Sequence, residues 1–141
     1  PRKIMKALLV IFILVTLVVR FYQLSSVPSG VYVDEASLGY NAYSILKTGR
    51  DEYSFPLPIF LRSFATSPSG LVLYFLTVPI QLLGLSVFSI RLTSVLLGTL
   101  TCMAFLLLVH HLFPSASKKL LFTIGFVFAL SPTHILYSRG F

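Results

Sequence analysis

VFSIRLTSVLLGTLTCMAFLLLV, residues 87–109, decides the class of this protein. An apolar helix that crosses a bilayer needs about 20 residues, and this stretch satisfies that length with one charge, Arg91, near its start. From Leu92 onward it is uncharged. Two other stretches qualify. ALLVIFILVTLVVRFYQL, residues 7–24, is preceded by Arg2, Lys3 and Lys6 and ends in Arg20, Phe21 and Tyr22, a pattern suited to snorkelling and an interfacial aromatic anchor. The third runs from Leu120 to Tyr137. The rival reading of the first stretch is a signal peptide followed by Ser25, Ser26 and Ser29. No clear small-x-small cleavage site follows, and Arg20 with its bulky neighbours favours a retained anchor.

Composition agrees. The chain is 56% hydrophobic and 11% charged, where an ordinary soluble domain carries about 25% charged residues. A soluble globule of 141 residues would leave much of that apolar surface in water. Eleven Lys and Arg against four Asp and Glu give a formal charge of +7. These basic residues are scattered rather than gathered into the stripe of a nucleic-acid binder, so no nucleic-acid partner is expected and the excess reads as membrane topology. The single cysteine, Cys102, rules out an internal disulfide and a Cys-based zinc site. The chain opens at Pro1 without an initiator Met and stops at Phe141 in mid-pattern, so a piece of a longer protein is expected.

Leu71 to Ser86 is apolar but short, and contains Pro79, Gln81 and Gly84. If it spans, Lys118 and Lys119 fall on the side opposite Lys3 and Lys6. If it lies in the interface, both clusters are cytoplasmic, as Lys and Arg in short loops prefer. The expected fold is therefore an all-α integral membrane protein with three transmembrane helices, at about 7–24, 87–109 and 120–137. A large external loop, 25–86, carries juxtamembrane helices, and a cytoplasmic loop covers 110–119. A four-span arrangement is the alternative.

Loops in compact proteins usually run about 4 to 6 residues, and this external one is many times longer. It also holds every carboxylate in the chain: Asp34, Glu35, Asp51 and Glu52. A helix is expected from Glu35 to Lys47, with Asp34 at the N-cap, Gly49 at the C-terminal cap and Leu38, Ala42, Ile45 and Leu46 on the apolar face. Asp34 is then either a cap worth about 1 kcal/mol or a partly desolvated carboxylate suited to general-base work. Glu35 is either a first-turn residue favoured by the helix dipole or its support, since adjacent helical residues point about 100° apart. The pair could instead bind a divalent cation together with Asp51 and Glu52, although those two are more often solvated turn residues. No Gly-rich phosphate loop, metal-binding His pair or nucleophile elbow is present. His110 and His111 are expected at the cytoplasmic end of a span.

The order of these features resembles the amino-terminal part of the membrane glycosyltransferases of the protein O-mannosyltransferase and lipid A aminoarabinose transferase superfamily, the GT-C fold. VDEASLGYNAYSILKTGRDEYSFPLPIFLRSF (33–64) looks like the first external loop of bacterial members. FSIRLTSVLLGTL (88–100) looks like the start of their second span, and ALSPTHILYSRGF (129–141) like the external end of the third. The resemblance implies a polyprenyl-phosphate sugar as donor, a protein, lipid or glycan acceptor, and transfer at the non-cytoplasmic face of a membrane, here a bacterial plasma membrane. It implies catalysis by an acidic residue of the first loop, which maps onto Asp34 with Glu35 beside it. An inverting transfer also needs a cationic surround for the leaving phosphate, for which Arg139, Arg62 and Arg50 are the candidates. Arg139 is alternatively an interfacial anchor.

Two departures stand out. Members often carry a basic residue before the Pro that starts the surface helix, where this chain has Ser67, and an acidic residue shortly after the segment matching 138–141. Members also have many more spans, so this chain alone is expected to be inactive. The competing reading is a non-enzymatic membrane assembly or scaffold protein whose external loop packs on the bilayer. A transporter is disfavoured because the spans hold few ionisable residues to line a pathway.

Overall fold

The computed structural model describes residues 2–60 and 70–140. Among them the chain is helical, without strands: α1 (Arg2–Phe21), α2 (Val33–Thr48), α3 (Gly70–Leu83), α4 (Val87–Leu112), α5 (Lys118–Ala129) and α6 (Pro132–Tyr137). Two helices are long and apolar enough to cross a membrane, Lys3–Phe21 within α1 and Val87–Leu112. Both match expected spans. α3 is a shorter apolar helix of 14 residues, below the length a crossing requires. Arg62 and Ser67 lie outside the described residues.

The third expected span is split instead of continuous. α5 has 12 residues and α6 has six, each too short to cross alone. The cause is Pro132. It has no N–H for the carbonyl of Phe128, and it disfavours helical geometry at the residue before it. Ser131 accordingly has φ −56° and ψ 126°, and the Phe128 carbonyl accepts from Ser131 N at 3.2 Å.

Two compact units can be described separately. One comprises residues 25–93 and so nearly coincides with the expected external loop. Its core joins α2 to α3 through Leu38, Ala42, Ile45, Leu73, Leu76 and Ile80, with Ile90 from the first turn of α4. Helix ends here follow local chemistry. Gly49, at φ +69°, closes α2 by donating to Ile45 O at 2.9 Å, a left-handed cap that glycine adopts without Cβ strain. Ser86 and Ser89 begin α4 with reciprocal bonds: Ser89 N donates to Ser86 Oγ at 3.2 Å and Ser86 N to Ser89 Oγ at 3.0 Å. This is the geometry of a capping box with serine in the distal position.

The other unit comprises residues 1–24 and 94–140. Phe12 is fully buried against Cys102, Leu106, Phe122 and Ala129, with its ring edge-on to Phe126 at 5.1 Å. Arg20, also fully buried, joins the pieces around the Pro132 break. It donates to Thr16 O at 3.1 Å, Ala129 O at 3.2 Å and Cys102 Sγ at 3.2 Å, and lies 2.7 Å from His134 Nδ1. Its positive charge faces the carbonyl end of α5, where a cation is favoured by the helix dipole.

α4 also comes into close contact with the end of α6 in this unit. A Cβ on Gly98 would collide with the Cβ of Ser138 and crowd its Cα. Ser138 is buried and fixed by its Oγ bond to Ile135 O at 3.0 Å, so it has little room to yield. Gly98→Val is therefore expected to destabilise the protein by about 1–3 kcal/mol through overpacking, outweighing the gain in helix propensity. Leu100→Val, at an exposed position of the same helix, should cost much less, and chemical unfolding of the two variants in detergent provides the comparison.

Candidate functional site

The candidate site begins at the start of α2. The structure places Val33 at the first helical position and Tyr32 at the N-cap, with no side-chain cap bond. Asp34 is therefore not the cap that the sequence pattern suggested. The helix starts one residue earlier, which moves Asp34 and Glu35 into the first turn, where carboxylates are favoured by the dipole. Asp34 is exposed, so the chain itself does not bury its carboxylate.

Glu35 has the opposite environment. It is fully buried and forms a two-pronged ion pair with the fully buried Arg91, Nε to Oε1 at 2.6 Å and Nη2 to Oε2 at 3.2 Å. The same guanidinium donates through Nη1 to Pro28 O at 3.0 Å and through Nη2 to Gly30 O at 2.7 Å. One arginine thus fastens the loop before α2, the first turn of α2 and the first turn of α4. The planar fork of Arg suits this multiple engagement, which a lysine could not reproduce. Two adjacent acids are thereby separated in role. Glu35 is held in the interior, and Asp34, about 100° around the helix, is left facing solvent.

Asp51 departs from the solvated turn residue expected of it, whereas Glu52 is exposed in its turn as expected. Asp51 is buried, and its Oδ1 accepts from Tyr53 N at 2.9 Å and Phe55 N at 2.8 Å, the local side-chain-to-backbone pattern that organises a turn. Glu52 is clipped to α2 by Asn41, a fully buried residue. Asn41 Nδ2 donates to Glu52 Oε1 at 3.1 Å, and Glu52 N donates to Asn41 Oδ1 at 3.0 Å. The four carboxylates do not converge, and among the described residues no three His, Cys, Asp or Glu side chains gather into a metal site. Arg50 is exposed, with Nη1 donating to Ser54 O at 2.9 Å.

Arg139 belongs to the other unit, where it is buried and donates to the carbonyl of Tyr22. That contact ties the second residue after α6 to the residue after α1. Neither a family model, nor a curated protein, nor a solved structure matches this chain. The residues themselves therefore carry the functional reading.

Sequence reasoning missed the partnership of Arg91 with Glu35 and the part played by Asn41. A signal for the first was present, since Arg91 is the one charge in an apolar stretch and such a charge requires a partner. Asn41 left a weaker trace as an amide beside the apolar face of α2.

The two acids should respond very differently to substitution. Glu35→Ala leaves the buried Arg91 charge uncompensated, and is expected to destabilise the protein by about 3–5 kcal/mol. Asp34→Ala, at an exposed position without a capping bond, should stay within about 0.5 kcal/mol of the wild type. Unfolding curves of both variants in the same detergent measure the difference.

Proposed function

We propose that this chain is the amino-terminal part of an integral membrane glycosyltransferase of GT-C type. In this reading it transfers a sugar from a polyprenyl-phosphate donor to an acceptor hydroxyl outside a bacterial plasma membrane. α1 and α4 cross the bilayer, with Lys3, Lys6, Lys118 and Lys119 on the cytoplasmic side and the residues between the two helices outside. α5 and α6 complete a third crossing as a broken pair. Interrupted backbone at membrane depth requires its polar groups to be satisfied within the protein, and the bond from Arg20 to the carbonyl of Ala129 supplies one such partner.

The observation that carries the reading is the unequal fate of the two acids at the start of α2. Inverting transfer needs a carboxylate that can reach an incoming hydroxyl and take its proton as the new glycosidic bond forms. An exposed Asp34 meets that need. A buried Glu35 cannot approach a substrate, and instead fixes the helical turn that presents Asp34. No capping bond engages Asp34, which leaves the helix dipole as the structural explanation for an acid at this position. Its solvent-facing carboxylate beside the firmly held Glu35 is what supports the enzyme reading over the scaffold alternative.

The leaving group is a polyprenyl phosphate, whose negative charge calls for nearby cations. Arg50, Arg139 and Arg62 remain the candidates. Of these candidates, Arg50 lies exposed in the unit that carries Asp34. The acceptor, whether protein, lipid or glycan, would enter from the aqueous side. A divalent cation is not required by this scheme.

Sugar transfer by the full-length parent protein in membranes supplied with polyprenyl-phosphate sugars tests the assignment. Asp34→Asn at matched expression should lose about 10²–10⁴-fold in rate while keeping its unfolding midpoint. Retained transfer would remove Asp34 from the chemistry and leave the family reading intact. Absence of transfer by the wild type across a panel of donors and acceptors would count for the scaffold reading.

A further inference from the structure

Away from the carboxylates, the unit of residues 1–24 and 94–140 contains an apolar cavity of about 220 Å³. Its walls come from Met5 and Leu9 of α1, Leu107 of α4, and Leu121 and Phe122 of α5. Ordinary small-molecule pockets measure about 300–1,000 Å³, so this one has room for a narrow chain and not for a folded ligand. Met5, Leu9 and Leu107 are all exposed, Leu107 at 68%. The cavity therefore opens onto exposed faces of the two helices read as spanning.

Charge distinguishes this cavity from a simple packing gap. Lys118 and His110 also line it, and Lys6 adjoins Met5 in α1. Lys3 and Lys119 lie within a turn of these residues, and all four lysines are exposed. Residues 1–24 and 94–140 contain no Asp or Glu to offset them. Lys118 in the wall, with Lys6 and Lys119 each next in sequence to a lining residue, sets positive charge without a carboxylate in the same unit beside a narrow apolar slot, a combination complementary to an amphiphile with an anionic head and a hydrocarbon tail. Basic pockets between membrane helices on the cytoplasmic side recognise such head groups.

We propose that this cavity binds one anionic phospholipid, with an acyl chain in the slot and the phosphate among Lys6, Lys118 and Lys119. The proposal rests on the membrane reading above, because only membrane insertion brings an acyl chain to these walls. A second copy of the chain fits this surface poorly, since it would oppose one lysine cluster to another. A free inorganic anion would leave the apolar slot unfilled. The site is separate from the proposed donor site: it belongs to the cytoplasmic end of the helices, whereas sugar transfer is assigned to the external face.

The test has two stages, both on the full-length parent protein. Alkaline extraction of membranes first establishes insertion. Release into the supernatant would overturn the membrane reading and this proposal with it. If the chain is retained, native mass spectrometry from detergent micelles, titrated separately with phosphatidylglycerol and phosphatidylcholine, reads bound lipid. One phosphatidylglycerol per chain is expected, with a preference of about tenfold or more over phosphatidylcholine. The triple variant Lys6→Gln, Lys118→Gln, Lys119→Gln should lose that preference. Leu107→Trp, which obstructs the slot at an exposed position and keeps every charge, should lower phosphatidylglycerol binding. Equal binding of the two lipids by a retained chain would overturn the proposal alone, as would a preference that survives either set of substitutions. Far-UV circular dichroism checks that the variants remain helical.

Discussion

The buried pair of Glu35 and Arg91 is the interaction on which the unit of residues 25–93 depends. Removing a carboxylate and a guanidinium from solvent costs several kcal/mol per ion, and the cost is offset only where geometry is good and the remaining donors are satisfied. Here the carboxylate takes two bonds from the guanidinium, and the guanidinium gives its other bonds to the carbonyls of Pro28 and Gly30. These contacts fix the chain entering α2 relative to the start of α4. The α2–α3 core, built on Leu38, Ala42, Leu73 and Leu76, then has a defined base on which to pack.

A second level of order comes from polar side chains that shape irregular backbone. Asp51 gathers the amides of Tyr53 and Phe55, while Asn41 holds Glu52 against α2. Buried polar groups of this kind are stabilising only when satisfied. In the other unit the buried Arg20 stands at the Pro132 break, where its terminal nitrogens bond to the surrounding backbone and side chains while its Nε has no partner among the described residues. Each of these segments thus has a specific polar residue beside it.

Much of the helical framework was legible in the sequence because it follows from local rules. Apolar runs gave α1, α4 and the short helix α3, and Gly49 marked the end of α2. The start of α2 was misplaced because Asp34 has the composition of a cap, whereas a helix boundary shifts easily by a residue. Pro132 was present in the third apolar stretch, but hydropathy summed along that stretch does not register a missing N–H. The site was less legible than the fold. Pairing Glu35 with Arg91 requires two residues 56 positions apart, and no local pattern records such a contact. Asp51 was read as solvated because charge usually seeks water, and what reversed this was a turn that brings two amides to one oxygen.

The environment of Cys102 has a practical consequence. It is the chain's lone thiol, fully buried, with Arg20 donating to its sulfur. A water-soluble maleimide therefore meets no accessible thiol on the folded chain, and a cysteine engineered at the surface is read against a silent background. Any slow modification of Cys102 itself would time the opening of the helices around the Pro132 break, giving the protein an intrinsic clock for local unfolding.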